Sequence, residues 1–155
     1  MASVNAITRI VKSLRRSDAG SAAVELAIMV PVLALLALGV SEFGRVYYAA
    51  ITVAGAARAG AQYGAQNVLT TMDTASINQA ARNEGADIGT IAATSSRFCR
   101  CPDGSTPSCT GTCPGYGGPE VFVRVSASKT VSFLMNYPGM PSSISISRTA
   151  TFRVQ

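Results

Sequence analysis

The chain has 155 residues, of which 48% are hydrophobic and only 14% charged, and its formal net charge is +5. Residues 1–20 hold four basic side chains against one acidic, so the positive charge belongs mainly to the N-terminus. A nucleic-acid interface would need clustered Lys and Arg side chains with aromatic residues, and the other arginines are scattered along the chain. The absence of histidine excludes Ser-His-Asp and Cys-His catalysis and every zinc site that needs His.

The first element is a short basic leader over residues 1–20, followed by an apolar stretch over 21–40 whose only charge is Glu25. The leader carries apolar residues at near-helical spacing and is expected to lie on anionic lipid headgroups. As a helix, the apolar stretch spans roughly 30 Å, the thickness of the hydrocarbon core of a bilayer. We therefore predict a transmembrane helix over 21–40. The positive-inside rule places the leader in the cytoplasm and the rest of the chain on the opposite side of the membrane.

The helical pattern continues beyond the predicted membrane span. Pro31 is expected to kink the helix or to loosen one turn, which membrane helices tolerate. Apolar residues then recur at steps of three and four, and Gly60 and Gly64 have a G-x-x-x-G spacing. The sequence predicts one helix from about residue 21 to about residue 67, with 41–67 as its soluble continuation. Its stripe of small residues packs either on another subunit or on a sheet of the same chain, and we favour the sheet.

The remaining residues, 68–155, are expected to form an extracytoplasmic α+β head. A second helix is predicted at Thr74–Glu84, with Ser76 and Gln79 at capping-box spacing and Gly85 as its C-cap. A Cys-rich loop follows over 98–119, with one short strand at 96–101.

The C-terminal third alternates apolar and polar residues over 121–127 and 143–154, with a turn at 137–141. This alternation predicts antiparallel strands with one buried and one wet face. Arg148 interrupts the apolar face of the second strand and indicates an edge position. The predicted fold is therefore pilin-like α+β, with a long N-terminal helix packed on a small antiparallel sheet.

Four cysteines lie within 15 residues, at positions Cys99, Cys101, Cys109 and Cys113. Their C-x-C spacing fits a zinc site poorly, and no C-x-x-C supports redox activity, so we expect no metal and no cofactor. Outside the cytoplasm disulfides persist, and we predict two. The nested pairing, Cys99 with Cys113 and Cys101 with Cys109, is favoured over Cys99 with Cys109 and Cys101 with Cys113.

The junction between leader and apolar stretch has its own pattern, a glycine followed five residues later by a glutamate. A cut between Gly20 and Ser21 would free an amine on the helix face that carries Glu25. A carboxylate in lipid is costly unless it is paired, and this amine, or that of a neighbouring subunit, would pair with it. The arrangement resembles a class III prepilin signal, which prepilin peptidases recognise.

The resemblance extends over about residues 19–66 to the TadE-like family, the minor pilins or pseudopilins of tight-adherence (Flp) pilus systems. It is carried by Gly20, Ala23, Glu25, Pro31, Glu42, Phe43 and Gly44. It implies a bacterial inner-membrane protein without enzymatic activity that is processed at Gly20 and acts in pilus assembly. The implied partners are the membrane, an aspartic prepilin peptidase, other pilin-like subunits and the assembly machinery, and not nucleic acid or a small substrate. Leu26 stands where major Flp pilins have Tyr, which points away from the main filament subunit.

Other interpretations compete with this one. An ordinary signal peptide could end near Gly39, or the span could be an uncleaved anchor. Either would make the chain a secreted or single-span-anchored β-rich binding module. A tethered enzyme is disfavoured, because the sequence contains no P-loop, G-x-S-x-G or paired-carboxylate motif.

Overall fold

The computed structural model describes residues 18–135, 139 and 141–155. The predicted leader, apart from its last three residues, and most of the predicted turn at 137–141 lie outside the described residues. The chain divides into two compact units, Met1–Glu42 and Phe43–Gln155.

The first helix, α1, runs without interruption from Asp18 to Gly64, 47 residues, and passes through Pro31. Its observed bounds lie within three residues of the predicted ones. The helix ends where Asn67 offers its side-chain oxygen to the backbone amides of Leu69 and Thr70, each at 2.9 Å. These bonds replace further helical turns and lead into a short 3-10 helix at Thr70–Met72.

The second unit combines the C-terminal part of α1 with α2 (Thr74–Glu84) and a second 3-10 turn (Ala86–Ile88). Three strands follow: β1 (Ala92–Arg100), β2 (Glu120–Ser132) and β3 (Ser143–Arg153). They form one antiparallel sheet in the order β1-β2-β3. In this register Val125 of the central strand lies between Ser95 of β1 and Ala150 of β3. The predicted α+β fold, with a long helix packed on a small antiparallel sheet, is confirmed.

The core of the second unit forms where small residues of α1 meet the apolar face of the sheet. One buried cluster contains Ala49, Val53, Ala56, Ala57, Ile91, Ala127, Val131 and Ile146. The other contains Ala61, Ile77, Ala81, Val123 and Val125. Because the helix contributes mainly alanines, its backbone can approach the larger valines and isoleucines of the neighbouring elements.

Gly60 and Gly64 lie at the closest approach between α1 and the rest of the head. A Cβ atom at Gly60 would lie 3.0 Å from the Cβ of Ala81 and 3.1 Å from the carbonyl oxygen of Ile77. A Cβ at Gly64 would lie 2.9 Å from Ile77 Cδ1 and from Val123 Cγ1. The observed neighbours of these two glycines therefore belong to the same chain, as the favoured interpretation of the small-residue stripe expects.

Several local predictions need correction. The bounds of α2 and its Gly85 C-cap are as predicted, but the N-cap is Asp73, whose side chain accepts from the Ser76 amide, and not a capping box that starts at Ser76. An acidic oxygen one residue before the helix reaches this amide directly. β1 begins at Ala92, earlier than the predicted 96, because its polar residues pair with β2 over residues 120–128.

The predicted faces of the sheet are correct near its centre and fail near its ends. Val123 and Val125 are buried while Arg124 between them is exposed, as the alternation predicts. Ile144 and Phe152, predicted on the buried face of β3, are instead 42% and 37% exposed. Ile146 lies in one core cluster and Ala150 packs against both, and Val154, just after β3, packs against the second, as predicted for this face. Arg148 lies on an edge strand, as predicted.

Candidate functional site

The predicted processing site lies in the first turns of α1. The position of a Cβ atom at Gly20 has no neighbour within 4 Å, and Ser21 and Glu25 are exposed. Ser21 and Glu25 are four residues apart and therefore share one helix face. A new amine on Ser21 would lie about one helical turn, roughly 5.4 Å, from the glutamate along the helix axis.

The residues that follow the predicted processing site form an exposed apolar surface. Every residue from 20 to 41 is exposed, including branched side chains such as Ile28 and Val40, which are 64% and 73% exposed. Among the described residues one helix is long and apolar enough to cross a membrane. This helix fits a single-pass membrane anchor.

Three further residues that carry the family resemblance and are expected to act in assembly or helix packing, Glu42, Phe43 and Gly44, follow Glu25 by 17 to 19 positions in the sequence. Glu42 is buried, with 7% of its surface exposed, whereas Phe43 is 72% exposed. The Phe43 ring stacks on Tyr47 with the ring centroids 6.2 Å apart. The space around Gly44 is open, since a Cβ atom there would have no neighbour within 4 Å.

The four cysteines form two disulfides, but the favoured nested pairing is wrong. Cys99 pairs with Cys109 and Cys101 with Cys113, at Cα–Cα distances of 5.2 and 5.7 Å that are usual for disulfides. The nested pairing assumes a simple hairpin. Instead, local turns reverse the chain twice, because the Cys101 amide bonds the Ser105 carbonyl at 2.8 Å and the Gly111 amide bonds the Ser108 carbonyl at 2.8 Å. These turns return Cys109 to the end of β1 before the chain reaches Cys113.

Asp103 orders the first of these turns. Its carboxylate accepts hydrogen bonds from the hydroxyl and the amide of Ser105, at 2.7 and 2.9 Å. These bonds lower the pKa of Asp103 from its ordinary value of 3.8, the hydroxyl contributing most. Among the residues that the structure describes, no three His, Cys, Asp or Glu side chains are grouped to hold a metal ion.

Sequence reasoning missed a groove in the head. It has a volume of about 410 Å³ and contains Arg45 and Tyr48 from α1, Asp87 from the second 3-10 turn and Lys129 from β2. The Tyr48 hydroxyl donates to Asp87, and the Lys129 ammonium donates to the Thr90 carbonyl at 3.0 Å. These residues are 39 positions apart in each bonded pair. No local pattern could have linked them.

Comparison with known families gives a match to the N-terminal part of the chain. The family model described as TadE-like protein matches residues 20–62, which confirms the resemblance found in the sequence. The matched segment starts at Gly20 and ends two residues before the end of α1. No curated protein and no solved structure matches the chain. The family match and the apolar helix together fit a membrane protein associated with Tad pili.

Proposed function

We propose that this chain, TadE-like over residues 20–62, is a minor pilin or pseudopilin that acts in the assembly of tight-adherence pili. The observation that carries the proposal is the position of the family match. It begins at the glycine of the prepilin-like signal and follows one continuous helix whose first half is apolar and exposed. The protein acts by association with other subunits and with the assembly machinery, not by catalysis.

The proposed maturation step is hydrolysis of the peptide bond between Gly20 and Ser21 by a prepilin peptidase. Water adds across the amide, leaving a carboxylate on Gly20 and an amine on Ser21. The open surroundings of Gly20 and the exposure of Ser21 support access to this bond. Residues 1–20 would then be removed as the leader, and 21–40 would remain as the membrane anchor.

Glu25 is proposed to register the helix in the assembly. A charged carboxylate within lipid is unfavourable unless a cation or a hydrogen-bond donor pairs with it. The amine of Ser21, on the same face of α1 or on a neighbouring subunit, provides such a cation. Pairing between subunits would fix their axial offset, and the exposed apolar side chains of 21–40 would supply the contact area.

The head is proposed to lie on the periplasmic side of the inner membrane. The two disulfides support this placement, since such bonds form and persist in oxidising compartments. The four basic residues of the leader support a cytoplasmic N-terminus.

The N-terminal residue of the mature protein tests the proposal. We expect N-terminal sequencing of protein purified from membranes to begin at Ser21. A start at Val40 would identify an ordinary signal peptide and a secreted module, and a start at Met1 would identify an uncleaved anchor.

A pair of glycine variants sharpens this test. Gly20→Ala should accumulate as precursor, whereas Gly39→Ala, at an equally open position of the same helix, should be processed normally. Normal processing of Gly20→Ala would count against a cut by a prepilin peptidase. Glu25→Ala should still be inserted, because removing the charge lowers the cost of insertion, and its defect should appear in assembly.

A further inference from the structure

The groove in the head includes Arg45 of α1, which comes shortly after the predicted membrane span in the sequence. Arg45 follows Val40 by five residues, so it lies about 7.5 Å further along the helix axis. The polar zone on each side of the hydrocarbon core is roughly 5–7 Å thick. In a chain anchored by 21–40, Arg45 therefore lies at the level of the lipid headgroups or just beyond them.

The charges of the groove suit a phosphate group. Arg45 and Lys129 supply two cations and Asp87 one carboxylate, which leaves the lining with a formal excess of one positive charge. Asp87 already accepts a hydrogen bond from the Tyr48 hydroxyl. Lys129 uses one hydrogen bond to hold its ammonium against the Thr90 carbonyl, at 3.0 Å, and an ammonium group has three donors.

Side chains near the groove have the character of a membrane interface. Phe43 and Tyr47 form an exposed stacked pair on the turns of α1 that include Arg45. Aromatic side chains of this kind concentrate at the level of the headgroups. Leu134 and Met135, which follow the groove-lining end of β2, are 64% and 43% exposed. Large apolar side chains beside paired cations are typical of surfaces that contact lipid.

We propose that this groove binds the phosphodiester of an anionic membrane phospholipid, with Arg45 and Lys129 as the groups that hold the phosphate. The polar side chains of Thr130 and Ser132, which also line the groove, suit a headgroup that carries hydroxyls, such as that of phosphatidylglycerol. Binding would fix the head against the membrane surface. The inference rests on the proposed membrane anchor but not on the pilus role or on cleavage at Gly20.

The test is lipid binding to the detergent-solubilised full chain, measured by native mass spectrometry. Phosphatidylglycerol, phosphatidylcholine and inorganic phosphate are titrated separately. We expect one saturable phosphatidylglycerol adduct, with weaker binding of phosphatidylcholine and of phosphate. Lys129→Gln and Arg45→Gln should each weaken phosphatidylglycerol binding roughly tenfold, the usual effect of losing a charge-assisted hydrogen bond.

Matched variants distinguish binding in the groove from nonspecific charge attraction and from loss of the fold. Arg58→Gln on the same helix and Arg148→Gln on β3 remove one positive charge outside the groove and should bind as wild type. Lys129→Arg keeps the cation and should retain most of the affinity, which a loss of fold would not allow. Circular dichroism of each variant reports the fold directly.

Three results would overturn the proposal. One is equal binding of phosphatidylcholine and phosphatidylglycerol. Another is unchanged affinity in a folded Lys129→Gln or Arg45→Gln protein. The third is inorganic phosphate binding as tightly as the lipid, which would indicate a site for a free anion. The N-terminal residue of the mature protein is measured independently, so failure here would leave the proposed function standing. A start at Met1 would overturn the proposed processing but keep the anchor, whereas a start at Val40 would remove the anchor on which this inference rests.

Discussion

The two halves of α1 differ in what their side chains meet. In residues 20–41 every side chain is exposed, and many are large, such as Leu33 and Leu35 at 59% and 63%. In the half that belongs to the head, one face is made of small residues that are fully buried, such as Ala56 and Ala61 at 0%. The two halves have the same secondary structure, since α1 is helical from Asp18 to Gly64, and they differ in the size and exposure of their side chains.

The difference reflects whether other residues of the same chain cover the helix. Small residues are needed where the chain's own sheet and α2 approach the helix backbone closely. Large apolar residues without a cover in the chain are expected where lipid or other subunits supply the contact. The first half of the helix thus fits a membrane anchor, whereas the second half forms part of the core of the head.

The largest expected contrast comes from truncating two isoleucines, one that packs against the head half of α1 and one that lies in the exposed apolar half. Ile77, on α2, packs against the head half of α1 and is 1% exposed, so Ile77→Ala should lower the free energy of unfolding of the head by about 3 kcal/mol. Ile28→Ala, at a site that is 64% exposed, should leave it unchanged. Urea unfolding of the solubilised protein, followed by circular dichroism, measures both. Equal losses would mean that the halves are not energetically distinct.

The disulfides provide a contrast of nearly the same size within the head. Replacing Cys101 and Cys113 together by Ser opens a loop with a sequence separation of 12 and should cost about 3 kcal/mol. That variant should contain no free thiol, because Cys99 and Cys109 remain paired. Replacing Cys99 and Cys113 together should instead break both bonds and leave two reactive thiols. Alkylation and mass spectrometry count the free thiols. Two thiols in the first variant and none in the second would instead support the nested pairing.

Two glycines of α1 give a smaller and sharper comparison. Gly60→Val would force a branched side chain against Ala81 and the Ile77 carbonyl and should destabilise the head by about 2 kcal/mol. Gly44→Val enters open space and should leave unfolding unchanged. If Gly44 takes part in assembly, the second variant should fold normally yet reduce pilus formation. A stable Gly60→Val protein would refute the close packing of helix and sheet.

The smallest effect is a pH dependence confined to the head. The hydrogen bonds of Ser76, chiefly through its side chain, lower the pKa of Asp73 below its ordinary value of 3.8. A lowered pKa in the folded state means that the stabilisation is complete above that ordinary value and is lost as the pH falls through the folded pKa. Wild type should therefore lose its advantage over Asp73→Ala below about pH 4. A difference that stays constant down to pH 2 would exclude a role for the carboxylate charge.

Local patterns are enough to predict most of the secondary structure. The three- and four-residue spacing of apolar side chains locates α1, and the alternation around Val125 locates the central strand. The Gly20–Glu25 spacing leads to the family that the match over 20–62 supports. β1 is predicted only in part, because its residues alternate weakly and its extent depends on pairing with β2.

Short-range patterns thus specify the long helix, the second helix and the strands of the C-terminal third. The disulfide pairing, the neighbours of Gly60 and Gly64, and the groove of Arg45, Asp87 and Lys129 emerge only when the chain is folded. The physical reason is that these features join residues from separate turns, helices and strands. Their distances depend on how turns and packing close the intervening loops, and a linear pattern does not encode that closure.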